Sequence, residues 1–198
     1  MSPNSFPIAA NGSPAGNADA LSLLEGENAK LRARITELER LVATDTLTPV
    51  FNQRHFHDTL ERWCWRAHRY GTSFGLLFLD IDRMKAVNDI QGHGIGDDVL
   101  RGVASALLGA VRKSDIVARV GGDEFAVLLD TITPQQLDIK TASMRKAFSA
   151  LPIKTAGPTL DIGVSIGSSA INGKARAANV LAAADAAMYA HKRSKYPA

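Results

Sequence analysis

Two pairs of carboxylates carry the first chemical signal. Asp80 and Asp82 stand two apart at the end of the apolar run Phe74–Leu79. On a strand, residues two apart share a face, so both acids would point the same way. Asp123 and Glu124 follow Gly121-Gly122, a turn signal between the apolar segments 116–120 and 125–129. If the first strand lies beside that hairpin, both acidic pairs meet at one sheet edge. Clustered hard oxygen donors suit Mg²⁺ or Mn²⁺ when no cysteine set or obvious histidine set accompanies them. Mg²⁺ held by one or two carboxylates plus phosphate oxygens is a common arrangement in phosphoryl transfer. Either pair alone is more often solvated loop acid, so the chemistry rests on their convergence.

A second polar group follows the first pair. Lys85, Asn88, Asp89, Gly92, His93, Gly96 and Asp97 precede the next apolar helix. A glycine-containing loop lets backbone N–H groups approach phosphates, and a lysine adds a point charge. Asn and Asp can read the edge of a base, and a carboxylate suits the paired N–H donors of guanine. Structural alternatives stand beside these: His93 as a packed histidine, and Gly96-Asp97 as a helix start with Asp97 or Asp98 in its first turn.

Helices and strands must position these groups. Phe56, Leu60, Trp63 and Ala67 recur at helical spacing, as do Leu100, Val103, Leu107 and Val111. Pro134 after Thr133 reads as a first helical residue, with Leu137, Met144, Phe148 and Leu151 near one face. Leu160, Ile162, Val164 and Ile166 alternate as one half-buried strand, and residues 176–193 form an Ala-rich terminal helix. Strands alternating with helices around one hairpin predict an α/β or α+β sheet layered with helices.

The N-terminal part differs in kind. Residues 1–19 are rich in Pro, Gly, Ser, Asn and Ala and read as a disordered tail. Residues 20–44 carry a heptad seam, with Leu21, Asn28, Ile35 and Val42 at a and Leu24, Leu31 and Leu38 at d. β-Branched residues at a with Leu at d favour a parallel two-stranded coil, and one Asn at a sets its register. Glu27 would face a partner's Arg32, and Arg34 a partner's Glu39. The alternative is one amphipathic helix packed on its own domain, which usually shows a wider apolar stripe. A DNA-binding basic zipper is disfavoured, because no Lys or Arg precedes the seam. Residues 45–198 form the globular domain.

The chain has 198 residues, 45% hydrophobic and 22% charged, with a net charge of +3. That excludes fibrous and wholly disordered classes and is too weakly basic to imply nucleic-acid binding. Cys64 is the sole cysteine, so neither an internal disulfide nor a multi-cysteine metal site is available. No apolar run is long enough to span a bilayer. Without a basic-then-apolar leader pattern, a cytoplasmic location is expected.

The residues quoted above resemble the GGDEF family of diguanylate cyclases. Gly121-Gly122-Asp123-Glu124-Phe125 is its signature. Asp45-Thr-Leu47-Thr48 with Asn52 and Arg54 is similar to its opening motif. The stretch Asp80-Ile-Asp82 through Gly96-Asp97 is similar to its central block, and Val164-Ser-Ile-Gly167 and Ala184-Asp185 with Met188-Tyr189 to its later ones. The resemblance covers about residues 45–195.

It implies a palm-like fold with a central five-stranded sheet and flanking helices. It also implies condensation of two GTP into cyclic di-GMP and two pyrophosphates by a homodimer with facing sites. Asp80 and Asp123 would bind Mg²⁺ (or Mn²⁺), helped by the Ile81 carbonyl. Asp123 would accept the proton of the attacking hydroxyl, with Glu124 as a second candidate metal ligand or base. Lys85 would stabilise the transition state. Backbone N–H groups of Arg83, Met84 and Lys85 would cradle the β- and γ-phosphates. Asn88 and Asp97 would recognise guanine, with His93 among the substrate-binding residues, and Lys192 would contact the terminal phosphates. Arg112-Lys-Ser-Asp115 resembles the family's R-x-x-D site, at which product inhibits the enzyme; the alternative there is an Arg–Asp pair ending a helix.

Departures from the family pattern are Pro49 for Gly and Met84 for Phe. The C-terminal block reads His191-Lys192-Arg193-Ser194-Lys195-Tyr196, which puts Tyr196 where a phosphate-binding Arg falls. Arg193 or Lys195 are the candidate replacements. A second inhibitory-site Arg falls near Ser143, with Arg145 or Lys146 as replacements. The rival functions are a catalytically silent cyclic di-GMP receptor acting through Arg112 and Asp115, and a coiled-coil adaptor.

Overall fold

A computed structural model of the chain describes residues 23–32, 34 and 43–196. They fall into two compact units, Met1–Val42 and Ala43–Ala198. In the first, residues 23–32 and 34 are helical, and Leu24, Asn28 and Leu31 are all exposed. The expected tail, and the heptad positions Leu21, Ile35, Leu38, Glu39 and Val42, lie outside the described residues.

The second unit runs α1 (Gln53–Tyr70), β1 (Phe74–Ile81), α2 (Met84–Gln91), α3 (His93–Ala110), β2 (Ile116–Arg119), β3 (Glu124–Leu129), α4 (Pro134–Ala147), β4 (Leu151–Ile153), β5 (Leu160–Ile162), β6 (Val164–Ile171) and α5 (Ala177–Lys195). The main sheet has the order β2-β3-β1-β6, and its described pairings are antiparallel. It holds four strands rather than the five expected. Next to β2, the chain before α1 contributes one parallel bridge, Phe51 to Ala118. Beyond Phe51 the chain turns into α1, where the Asn52 side-chain oxygen accepts from the His55 N–H at 3.0 Å.

Strand alternation sorts the core into two layers. Leu77, Leu79 and Ile81 pack on one sheet face with Val99, Val103 and Leu107 of α3 and Leu137 and Met144 of α4. Phe74, Leu76 and Phe78 pack on the other with Phe56, Leu60 and Trp63 of α1 and Val180, Ala184 and Met188 of α5. By the same parity Asp80 and Asp82 belong to the α5 face, and both meet lysines of that helix (below).

Two boundaries differ from the expectations. The alternating run Leu160–Ile166 is not one strand: it breaks at Gly163, and its first part pairs with β4 in a separate two-stranded sheet. Leu151 opens β4 instead of continuing the helix, which ends at a cap on Phe148. The start of α4 is as expected, with Thr133 and Gln136 forming a reciprocal capping box and Pro134 in the first turn.

The outer side of β6 is bonded by side chains. Ile166 donates its N–H to His191 Nδ1 at 3.0 Å, and its carbonyl accepts from Arg145 Nε at 2.9 Å. The Val164 carbonyl accepts from Lys195 Nζ at 2.7 Å. His191 is held below the usual histidine range by burial, and further by Arg145 and Lys195, against an opposing pull from Asp82. A histidine kept neutral in the fold contributes stability that is full above its unfolded pKa, about 6.5, and is lost as pH falls through that value toward the folded one. The melting temperature is therefore expected to drop as pH falls below about 6.5. In His191→Asn, which keeps an acceptor but does not titrate, the drop should be smaller. Equal drops in thermal melts of the two proteins would exclude His191 as the cause.

Candidate active site

The ends of β1 and β3 lie side by side. Asp80 is in register with Glu124 on one flank and Ser165 on the other. The Ile81 N–H donates to the Asp123 carbonyl at 3.1 Å, which ties the glycine turn to the end of β1. Acids from two separate stretches of chain thus meet at one edge of the sheet. Burial pushes the Glu124 carboxyl above the usual range, and the nearby Asp80, Asp123 and Asp185 push it further, against Lys192.

Cations of α5 face the first pair. Lys192 Nζ donates to Asp80 at 2.6 Å, and Lys195 Nζ to the buried Asp82 at 2.9 Å. Burial raises Asp80, and Asp123 and Asp82 add to this, so that it stays high despite its bond to Lys192. Burial draws Lys192 down, but the bond to Asp80 and the charges of Asp80, Asp82 and Asp123 outweigh it and hold the ammonium above its usual value.

Beside these acids lies a cavity of ≈ 430 Å³, lined by Met84, Lys85, Asn88, Asp89, His93, Asp97, Leu100, Arg119, Gly122 and Asp123. It gathers Asp123 with Lys85, Asn88, His93 and Asp97, all named from the sequence. Gly92 breaks the chain between α2 and α3 with a φ of +84°, a left-handed value that favours glycine. Gly96 makes room inside the cavity wall, because a Cβ there would overlap the Asn88 amide oxygen. Arg83 lies on another side, lining a slot with Asp82 and Tyr196.

A family model described as "Diguanylate cyclase, GGDEF domain" matches residues 42–196. The chain belongs to that family. It is 36% identical over 166 residues to the diguanylate cyclase DosC of Escherichia coli (strain K12), covering 82% of this chain and 36% of that protein. It is 36% identical over 175 residues to the diguanylate cyclase TpbB of Pseudomonas aeruginosa, covering 87% of this chain and 40% of that protein. The chain thus spans about two fifths or less of the length of these relatives. Among solved structures, the coiled coil and GGDEF domain of DgcB from Caulobacter crescentus in complex with c-di-GMP is similar, with a TM-score of 0.76 and 32% identity over 89% of this chain and 94% of that one. Diguanylate cyclase SiaD in complex with its activator SiaC, from Pseudomonas aeruginosa, has a TM-score of 0.72 and 30% identity over 91% of this chain and 76% of that one.

The opening motif of this GGDEF domain has a structural job. Asp45 Oδ1 accepts from the Thr48 N–H at 2.8 Å and from its hydroxyl at 2.6 Å. Burial raises Asp45, but these bonds and Arg119 outweigh it and hold the carboxyl low. Arg119 reaches Asp45 at 3.4 Å and also donates to the Gly122 carbonyl at 2.6 and 3.1 Å. It therefore locks the glycine turn to the opening motif while lining the cavity. Sequence reasoning missed Arg119, because its partners are brought together only by the folded sheet.

The R-x-x-D segment lines a separate cavity of ≈ 350 Å³. Asp115 accepts from the Arg112 N–H at 2.8 Å and from the Asp130 N–H at 3.0 Å. Gln136, Lys140 and Ser143 of α4 line the same cavity. Arg145 is instead bonded to the Ile166 carbonyl. The cation lining the cavity from α4 is Lys140, whose ammonium donates to the Ala110 carbonyl at 2.5 Å. Likewise, Lys195, a candidate phosphate ligand, is taken up by Asp82 and the Val164 carbonyl. Among the described residues, no helix is long and apolar enough to cross a membrane.

Proposed function

We propose that the chain condenses two GTP into cyclic di-GMP, releasing two pyrophosphates. The observation that carries this is the meeting of Asp80 with Asp123 and Glu124 beside the cavity holding Lys85, Asn88 and Asp97. Asn88 and Asp97 present an amide and a carboxylate to one edge of guanine. Lys85 and Lys192 offset the charge developing on the triphosphate. The 3′-hydroxyl of each GTP attacks the α-phosphorus of the other, and at each the bond to the α,β-bridging oxygen breaks and a pyrophosphate leaves, so that two attacks close the ring. The hydroxyl proton passes to Asp123, with Glu124 as the second acceptor.

The donor set fits a hard divalent cation such as Mg²⁺. Three carboxyls crowd together, and two of them are pushed up by burial and by neighbouring acids: Asp80 by Asp123 and Asp82, and Glu124 by Asp80, Asp123 and Asp185. Among the described residues, no group of three Asp, Glu, His or Cys closes around one point. That suits Mg²⁺, which keeps few protein ligands and arrives with phosphates. Asp80 and Asp123, helped by the Ile81 carbonyl, would hold it, with Glu124 as the alternative ligand, and when bound it supplies charge stabilisation at the phosphoryl group.

The reaction joins two nucleotides held by separate domains, so two copies must face each other. The exposed Leu24 and Leu31 flanking Asn28 support pairing through the N-terminal seam. The cavity at Arg112 and Asp115 supports feedback binding of the product, since a guanidinium can stack on or fork to guanine.

One experiment covers these points. Purified protein with GTP and Mg²⁺ should form cyclic di-GMP in a chromatographic assay, with progress curves that flatten as product accumulates. Arg112→Ala should stay linear for longer. Tight cyclic di-GMP binding without turnover would overturn the enzymatic reading and leave a receptor. Equal curvature in both proteins would remove the inhibitory role of Arg112.

A further inference from the structure

The last turn of α5 and the turn after β1 meet residue by residue. Lys192 pairs with Asp80, Lys195 with Asp82, and the Arg83 guanidinium lies over the Tyr196 ring, 4.5 Å from its centroid. Asp82 is 4% exposed, and its second oxygen accepts from Ser165 Oγ at 2.6 Å. Its N–H donates to the Gly163 carbonyl at 2.9 Å. Gly163 also leaves space for the carboxylate, since a Cβ there would lie 2.7 Å from Asp82 Oδ2. A buried carboxylate needs a partner, so Asp82 fastens the turn to β6 and α5 together. The next residue, Arg83, has a φ of +58° and opens α2 without a side-chain cap bond. A non-glycine residue holds that backbone shape only where its surroundings impose it.

We propose that Lys195 and Tyr196 are positioning residues that clamp the Asp80–Lys85 turn into the shape that receives the nucleotide's phosphates. Lys195 acts through Asp82, and Tyr196 through Arg83. The proposal deepens the reading of this site as a GTP-binding one and rests on it. It also gives work to Tyr196, which stands where the family's C-terminal pattern has an Arg, and to Lys195 beside it: both hold the turn rather than the phosphates.

The test compares wild type with Tyr196→Ala, Tyr196→Phe, and the double variant Asp82→Asn with Lys195→Met, which removes the ion pair without stranding a buried charge. Tyr196→Ala should raise the KM for GTP about threefold, the scale of one cation–π contact, with kcat within about twofold. Tyr196→Phe, which keeps the ring, should match wild type. The double variant should raise KM about tenfold, the cost of a misplaced binding turn. Amides of residues 83–86 should exchange hydrogen faster in Tyr196→Ala and in the double variant, while those of β3 stay protected. If wild type forms no cyclic di-GMP, the activity reading fails, and the clamp is then judged by exchange and by the affinity of a non-hydrolysable GTP analogue. Unchanged KM or analogue affinity in both ring-loss and pair-loss variants overturns the clamp, whatever the exchange rates show. So does a Tyr196→Phe protein that behaves like Tyr196→Ala.

Discussion

Asp123→Ala is expected to lower the rate of cyclic di-GMP formation by about 10³-fold or more, the scale of losing one group that stabilises transition-state charge, while leaving the melting temperature nearly unchanged. The two halves of that expectation have different sources. The structural work of Asp123 is done by its backbone carbonyl, which accepts from the Ile81 N–H and survives the substitution. Its side chain lines the cavity with Lys85, Asn88 and Asp97 and lies close enough to Asp80 and Glu124 to raise both carboxyls. Removing it takes away the proposed cation ligand and the proposed proton acceptor together. It also relieves repulsion among three acids, so stability should not suffer. Product formation within about tenfold of wild type, measured with excess Mg²⁺, would deny Asp123 both roles.

The largest effect on stability is expected from a single methyl group. Gly167 sits in β6 opposite Phe78, on the face covered by α5. A Cβ at this position would overlap the Ala184 carbonyl oxygen, the Met188 nitrogen and the Ala187 carbonyl carbon, all backbone atoms of that helix. A side chain can swing away from an intruding methyl, but a helix backbone must move as a unit. Gly167→Ala should therefore cost at least about 3 kcal/mol, the upper end for overpacking, and lower the melting temperature by roughly 10 °C. Thermal melts followed by circular dichroism would show it, and a drop under about 2 °C would mean that α5 has slack. Activity should fall with it, because α5 carries Lys192 and Lys195 to the ends of β1. The closeness that forbids the methyl is what brings those ammonium groups within reach of Asp80 and Asp82.

Much of this was legible from residue types and spacing. The apolar run before Asp80 and the glycine pair before Asp123 marked two strand ends, and those ends proved to be neighbours. Strand parity put Asp80 and Asp82 on one face. What could not be read depends on contacts between distant stretches. The alternation of Leu160, Ile162, Val164 and Ile166 passes through Gly163 unbroken, yet the strand breaks there, where the Gly163 carbonyl accepts from the Asp82 N–H and the missing Cβ leaves space for the Asp82 carboxylate. Arg119 has an ordinary place in a short strand, and only the folded sheet shows it bridging Asp45 and Gly122. From the sequence, Lys195 reads as a candidate phosphate ligand at the C-terminus. Its partner Asp82 lies over a hundred residues earlier in the chain, beyond any local spacing argument. The fifth strand was expected from the family resemblance, and here Phe51 supplies in its place isolated bridges to Thr44 and Ala118 just before the helix cap at Asn52.

The side chains along β6 bear on how copies of this protein can meet. A strand at the border of a sheet offers a row of unpaired donors and acceptors on which another chain can template itself, the usual first step toward aggregation. Here His191, Arg145 and Lys195 take up the outward groups of Ile166 and Val164. Over this stretch of β6 a second strand finds no free donor or acceptor to pair with, so association of copies along it is disfavoured.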